Sequence, residues 1–305
     1  MVTAIKVGCC GYPVSTKRYR EVFRIVELNN TFYQYPRDST VEKWRKEAPE
    51  DFEFTVKAHQ EISHTYKLKT DLAAEAFDKM KRICQTLHAH IMVIQTAGSF
   101  KPDRLEDAHE FFRRVEREDL TLVWETRGNE WEEVEVREEL RRVLEEVDVS
   151  HITDPFRTMP VFIGRTAYFR LHGLGARMYY YQYTDSELER LYDQIKGFNG
   201  SSCEVYVLFN NLSMFEDAKR FLHFLEKKKF PSLTGSVGLD SVMSVVERAR
   251  YPLTKSMLME KFGWRVVELE AGKQIRLEEI LKNLPSKNYD NKEKVIKEIK
   301  RKSAK

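Results

Sequence analysis

Four cysteines in 305 residues (Cys9, Cys10, Cys84 and Cys203) are too few to staple a chain of this length. None has C-x-x-C spacing or histidines at zinc-finger distance. Cys9 and Cys10, at the end of the first expected strand, read as small buried hydrophobes. No apolar run approaches the roughly 20 residues that cross a bilayer, so a membrane span is not expected. Met1 to Cys10 lacks the apolar core of a secretory signal, which leaves the cytoplasm as the expected compartment. The first strand leads into Gly8-Cys9-Cys10-Gly11-Tyr12, which lacks G-x-G-x-x-G spacing and argues against a dinucleotide-binding domain. Nothing matches H-E-x-x-H or the many-ligand pattern of a multi-zinc nuclease.

A strong charge of one sign is also missing. The formal net charge is +3, with 42% hydrophobic and 32% charged residues, as in soluble globular proteins; the Lys, Glu and Arg richness leans towards thermophile composition. The distribution says more than the total. Residues 230–305 hold 16 Lys and Arg against 10 Asp and Glu, a net +6, so residues 1–229 carry −3. Any sequence-independent attraction for nucleic acid therefore belongs to the C-terminal segment.

What the chain does have is a recurring pattern. In Ile25-Val26-Glu27-Leu28-Asn29-Asn30-Thr31-Phe32-Tyr33, a strand-like alternation ends in a carboxylate and an amide. Six more apolar stretches close in the same way, on Lys57, Gln95, Glu125 with Arg127, Asp154, Arg170 with His172, and Asn210 with Asn211. Strands are expected at 4–8, 24–29, 52–58, 90–95, 120–126, 149–153, 166–171 and 204–209. Helices are expected between most of them, with 155–164 irregular. One helix over 71–87 carries Leu72, Ala76, Met80, Ile83 and Leu87 at helical spacing. Eight alternating strands in about 230 residues favour an α/β fold of the (β/α)8, triosephosphate-isomerase type, whose site lies at the C-terminal strand ends. From Phe230 the pattern changes. Helices over 236–250, from 252, over 273–284 and over 292–300 describe a small basic helical appendage, giving domains 1–229 and 230–305.

Several stretches, in order, carry a resemblance: Val26 to Tyr33, Phe54-Thr55-Val56-Lys57-Ala58 with His64, Glu125-Thr126-Arg127 with Trp131, Tyr168 to Gly173, Tyr183 to Leu188, and Val205 to Asn211. Residues 5–229 resemble the YecE-like family, domain of unknown function 72. The resemblance implies a triosephosphate-isomerase-type barrel akin to endonuclease-IV-like and xylose-isomerase-like barrels, without an established reaction. Two loops depart from the family pattern: Cys9-Cys10-Gly11-Tyr12 replaces Thr-Ser-Gly-Trp, and Thr96-Ala97-Gly98-Ser99-Phe100 replaces Leu-Pro-Pro-Ser-Phe. The tail, through Tyr251-Pro252-Leu253-Thr254-Lys255 and Leu284 to Tyr289, resembles the domain of unknown function 2795.

At the strand ends, Glu27 and Glu125 are the candidate general acid and base, with His172 as a second choice. Lys57, Arg127 and Arg170 suit an anionic group, the arginines through their bidentate fork. Asn29, Gln95, Asn210 and Asn211 would orient a polar substrate, with Asp154 in the same set. Glu125, Asp154 and His172 also offer ligands for a divalent metal. Tyr33, Tyr35, Trp131 and the run Tyr179 to Tyr183 offer stacking surfaces. The leading expectation is a hydrolase acting on a phosphate-bearing substrate such as DNA or RNA. A sugar or sugar-phosphate isomerase or hydrolase is the first alternative, and a non-catalytic nucleic-acid-binding module the second. An ion-pair network that merely holds the barrel top is the bland reading of the same residues.

Overall fold

The structure is a computed structural model and describes residues 5–69, 71–198 and 203–303. Its sheet is built from β1 (Lys6–Cys10), β2 (Ile25–Leu28), β3 (Glu53–Lys57), β4 (Ile91–Gln95), β5 (Thr121–Glu125), β6 (Ser150–His151), β7 (Thr166–Leu171) and β8 (Glu204–Phe209). All pair in parallel, in the order β6-β5-β4-β3-β2-β1-β8-β7. A parallel bridge between Thr153 and Phe169 closes the ends, with Arg170 N donating to Thr153 O at 3.0 Å. The expected eight-stranded barrel is formed.

Alternation along the strands puts one set of side chains inside. Cys10, Ile25, Val93, Val123, Ile152, Tyr168 and Leu208 belong to one buried cluster. One step of two residues further along, the same faces carry Glu27, Gln95, Glu125, Asp154, Arg170 and Asn210. At the opposite end Lys6 Nζ meets Glu53 and Glu204, each at 2.8 Å, and Tyr206 Oη at 2.7 Å. The other faces (Val26, Phe54, Val56, Met92, Ile94, Leu122, Trp124) are also buried, as parallel strands covered on both sides require. Gly8 permits the close approach of β1 and β2, because a Cβ there would lie 2.6 Å from Ile25 O.

The connecting helices are α1 (Thr16–Arg20), α2 (Asp38–Glu47), α3 (Asp71–Leu87), α4 (Leu105–Arg114), α5 (Val134–Glu146), α6 (Asp185–Ile195) and α7 (Met214–Lys227). In α3 the buried stripe is Ala73, Ala76, Phe77, Met80, Ile83, Cys84 and Leu87, whereas Leu72, counted in that stripe from spacing, is exposed. The remaining elements are α8 (Leu239–Val246), β9 (Leu253–Thr254), α9 (Lys255–Phe262), β10 (Val266–Glu270), β11 (Lys273–Arg276), α10 (Glu278–Leu281), β12 (Asn288–Tyr289) and α11 (Lys292–Ser303). The helix expected over 273–284 is thus a strand followed by a short helix. β10 and β11 pair antiparallel, and Gly272 at φ 78° turns the chain between them.

The chain divides into two compact units, Met1–Leu171 with Leu191–Asn210, and His172–Arg190 with Asn211–Lys305. The second has its own core, including Val242, Val246, Leu258, Val267, Leu277, Leu281, Tyr289 and Val295. Within it Arg276 donates to Gln182 O at 3.0 Å and pairs with Glu187 at 3.2 Å. Asp217, pushed up to about 7 by burial, accepts from Asn211 Nδ2 at 2.7 Å and Tyr183 N at 3.2 Å and lies 3.3 Å from Arg220. No helix among the described residues is long and apolar enough to cross a membrane.

His151, at the end of β6, is buried with Nδ1 accepting from Val161 N at 3.3 Å and Nε2 3.2 Å from Thr126 Oγ1. Burial, then the Arg137 charge, lowers it from an ordinary 6.5 to about 3. The folded state therefore refuses a proton that the unfolded chain accepts, so stability is lost as pH falls below 6.5. At pH 5 this amounts to about 2 kcal/mol. Urea unfolding at pH 7.5 and pH 5 checks it: the wild-type loss should shrink in His151→Gln, and an equal loss in both would contradict the assignment.

Candidate functional site

Four strand ends meet around one guanidinium. Arg170, on β7, is 1% exposed. Its Nη2 donates to Glu27 Oε1 at 2.8 Å, and its Nη1 binds Glu125 Oε2 and Gln95 Oε1, the latter at 3.1 Å. Asn29 Oδ1 lies 3.5 Å from Nη2. The second carboxylate oxygen of Glu27 accepts from Tyr168 Oη at 3.0 Å, and that hydroxyl in turn accepts from Thr55 at 2.7 Å. The other oxygen of Glu125 lies 2.6 Å from Arg127 Nη2, which also reaches Gln95 Oε1 at 3.5 Å. Register explains the convergence, since Gln95 pairs with Glu125 and Glu27 with Thr55 across neighbouring strands.

Lys57 completes the group in a different way. Its strand end is tied down by Thr31 Oγ1, which lies 2.7 Å from Lys57 O and 2.9 Å from Leu28 O. Its Nζ lies 4.1 Å from the centroid of the Phe32 ring. Burial, then the Arg170 charge, lowers this amine to about 8, against the pull of Glu27 and Glu125. The same effects act on His64, which stands in a single π-helical turn (Glu61–Thr65) with its ring 4.9 Å from that of Phe32. Burial, then Lys57 and Arg127, hold its imidazole below the ordinary value. Burial and the Glu27 charge push the Cys10 thiol up, so it offers no thiolate to the site.

The structure therefore brings together Glu27, Asn29, Lys57, Gln95, Glu125, Arg127 and Arg170. Roles shift within that set. Glu27 has no exposed surface and both its oxygens are taken, so it cannot exchange a proton with a substrate in this arrangement. Lys57 and His64 are the members of this surrounding whose protonated forms are disfavoured. Tyr168 and Thr55 were not singled out from sequence, although each stands two residues before Arg170 or Lys57 on the same face.

Other expected residues go elsewhere. Trp131 is buried against Phe100 and Trp124, its ring N–H donating to Phe100 O at 3.1 Å, so it is core and not a stacking surface. Tyr33 is 69% exposed beside Phe32. Tyr35 stacks on His59 at 3.9 Å and binds Glu61. Asp154 accepts from Phe156 N at 3.2 Å and shapes the turn after β6. Asn210 is half-buried, its N–H donating to Leu171 O at 2.8 Å. Asn211 is committed within the second unit, donating to Tyr181 O and Asp217. His172 also belongs to that unit, its ring 5.9 Å from Tyr179, and Tyr181 and Tyr183 are buried there. Among the described residues no group of three or more His, Cys, Asp and Glu is placed to hold a metal ion. Glu125, expected as one ligand, is held by Arg127 and Arg170.

Comparison with known proteins fits this geometry. A family model described as "Protein of unknown function DUF72" matches residues 13–235, and "Family of unknown function (DUF5789)" matches residues 236–303, in place of the tail family suggested by its motifs. The UPF0759 protein YunF of Bacillus subtilis is 25% identical over 240 residues, covering 68% of this chain and 85% of that protein. The crystal structure of a DUF72 family protein from Enterococcus faecalis superposes with a TM-score of 0.60 at 23% identity, over 73% of this chain and 97% of the other. A xylose isomerase domain containing protein from Salmonella typhimurium gives 0.52 at 13%, over 74% and 100%. These structural likenesses show a shared barrel fold.

Arg170 is the residue on which the site's stability turns. Arg170→Met strands the buried Glu27 carboxylate, leaves Glu125 with Arg127 alone, and should cost about 3–5 kcal/mol in urea unfolding. Adding Glu27→Gln should recover part of that loss, because the stranded charge goes with it. An Arg170→Met protein within about 1 kcal/mol of wild type would contradict this account of the ion pairs.

Proposed function

Because the chain belongs to the DUF72 family, whose description names no reaction, we propose a function from the barrel mouth itself: an enzyme that binds a small phosphorylated substrate and transforms it by proton transfer. Arg127 receives the anionic group, and Lys57 and His64 exchange protons. The observation that carries this reading is the distribution of charge. Lys57, Arg127 and Arg170 face Glu27 and Glu125, and both carboxylates are held by guanidiniums, which leaves Lys57 as the surplus cation. A guanidinium and an amine at the same end of the barrel suit an anion. The net −3 of residues 1–229 favours a small molecule over a duplex.

A second reading draws on the other unit. Arg177 stacks 3.4 Å over Tyr180, Tyr180 meets Trp264 edge-on at 6.2 Å, and Arg265 lies 4.6 Å over Trp264. Alternating aromatic and guanidinium planes, of which Trp264 and Arg265 belong to the +6 segment 230–305, suit single-stranded nucleic acid.

One panel separates the two. Thermal unfolding is followed with three- to six-carbon sugar phosphates, inorganic phosphate and single-stranded oligonucleotides. The first reading predicts that a sugar phosphate at about 100 times its Kd raises Tm by about 5 °C or more. Arg127→Ala should weaken that binding about tenfold. A response to oligonucleotides alone, lost in Trp264→Ala, moves the function to the second unit. Silence throughout refutes both.

A further inference from the structure

A buried lysine in a mouth that also holds two carboxylates would ordinarily pair with one of them. Lys57 does not. Glu27 spends its oxygens on Arg170 and Tyr168, and Glu125 spends its own on Arg170 and Arg127. Among the described residues the Lys57 amine has a ring beneath it, at 4.1 Å, and no hydrogen-bond or ion-pair partner. The side chain keeps 8% of its surface in contact with solvent at the C-terminal end of β3, and Thr31 fixes the backbone below it. A primary amine held apart from carboxylates, desolvated and close to a second cation is lowered to about 8, which leaves about a tenth of it neutral at pH 7, far more than for an ordinary lysine. A lysine whose task was only to grip phosphate would gain from the opposite surroundings, which keep it fully charged.

We propose that Lys57 is a covalent catalytic residue that forms an imine with an aldehyde or ketone group of the substrate. The substrate class is thereby narrowed to small phosphorylated carbonyl compounds. This rests on the reading that the mouth takes a phosphorylated small molecule. In the step, the nitrogen lone pair attacks the carbonyl carbon and a C–N bond forms. The carbonyl oxygen then leaves as water, carrying both protons shed by the amine, and a C=N bond remains. Protonated, that imine draws in the electron pair when a bond to the adjacent carbon breaks. If the broken bond is C–H, its proton passes to a base, and His64, on the same Phe32 ring and held neutral, is suited to receive it.

The test traps the imine in the full-length protein. The chain is incubated with dihydroxyacetone phosphate and sodium cyanoborohydride, and adducts are located by intact mass and peptide mapping. Dihydroxyacetone, the same ketone without phosphate, serves as a parallel probe. The expected result is one adduct per chain on the peptide carrying Lys57, formed faster with the phosphorylated probe. Labelling should fall at least about tenfold in Lys57→Met and in Lys57→Arg, which keeps the charge but forms no imine. Mapping on the unaltered protein decides the matter even where a variant fails to fold. Adducts scattered over exposed lysines overturn the inference. So does an unlabelled Lys57 in a protein whose Tm responds to the phosphorylated probe, and in that case the binding reading stands. Absence of both adduct and thermal response removes the two together.

Discussion

Arg170 carries a full positive charge into a barrel interior where it is 1% exposed. Removing such a group from water costs several kcal/mol, and only close, well-oriented anions offset that cost. Glu27 and Glu125 supply them from strands β2 and β5, with Gln95 accepting between them on β4. One guanidinium thus ties together four strand ends and takes up both nearby carboxylates. Arg127 takes the last oxygen of Glu125. Among the described residues Lys57 has no counter-ion within salt-bridge distance, and it is close to a cation and out of water, which favours its neutral form.

The bland alternative, an ion-pair network that only holds the barrel together, describes Arg170, Glu27 and Tyr168 well. It does not account for Lys57. A purely structural cluster gains little from burying an amine whose desolvation the Phe32 ring and the more distant carboxylates offset only in part. Opposite this end, Lys6 meets Glu53, Glu204 and Tyr206 at 2.7–2.8 Å and is raised rather than lowered. The same barrel therefore treats its two inward lysines in opposite ways. The satisfied one plugs the end formed by strand starts, and the unsatisfied one stands at the end where barrels of this type do chemistry.

Most of the barrel was legible because strand periodicity is strict. Glu27, Gln95, Glu125 and Arg170 each stand two residues past an apolar residue of the interior cluster, so the alternation alone predicts that they share a face. Sequence does not reveal who pairs with whom once they arrive. Glu27, expected as an acid or base, illustrates this, since nothing in its neighbours announces that Arg170 and Tyr168 will occupy both oxygens. Trp131 misled for another reason: an aromatic just past a strand end can turn outward to the rim or back under a helix, and contact with Phe100 and Trp124 selects the second. In the tail, Val267-Glu268-Leu269-Glu270 and Lys273-Gln274-Ile275-Arg276 alternate with period two around Gly272. That hairpin signal was present, but the charged residues of the stretch made helix the easier reading.

If the ion pairs of Arg170 leave Lys57 as a partly neutral amine, direct titration of that amine shows it. With 13C-labelled lysine, and Lys57→Arg to assign the resonance, the chemical shift is followed from pH 6 to pH 11. The account predicts a midpoint near 8. A midpoint at or above the ordinary 10.5 would mean that Lys57 is paired after all, and would contradict it.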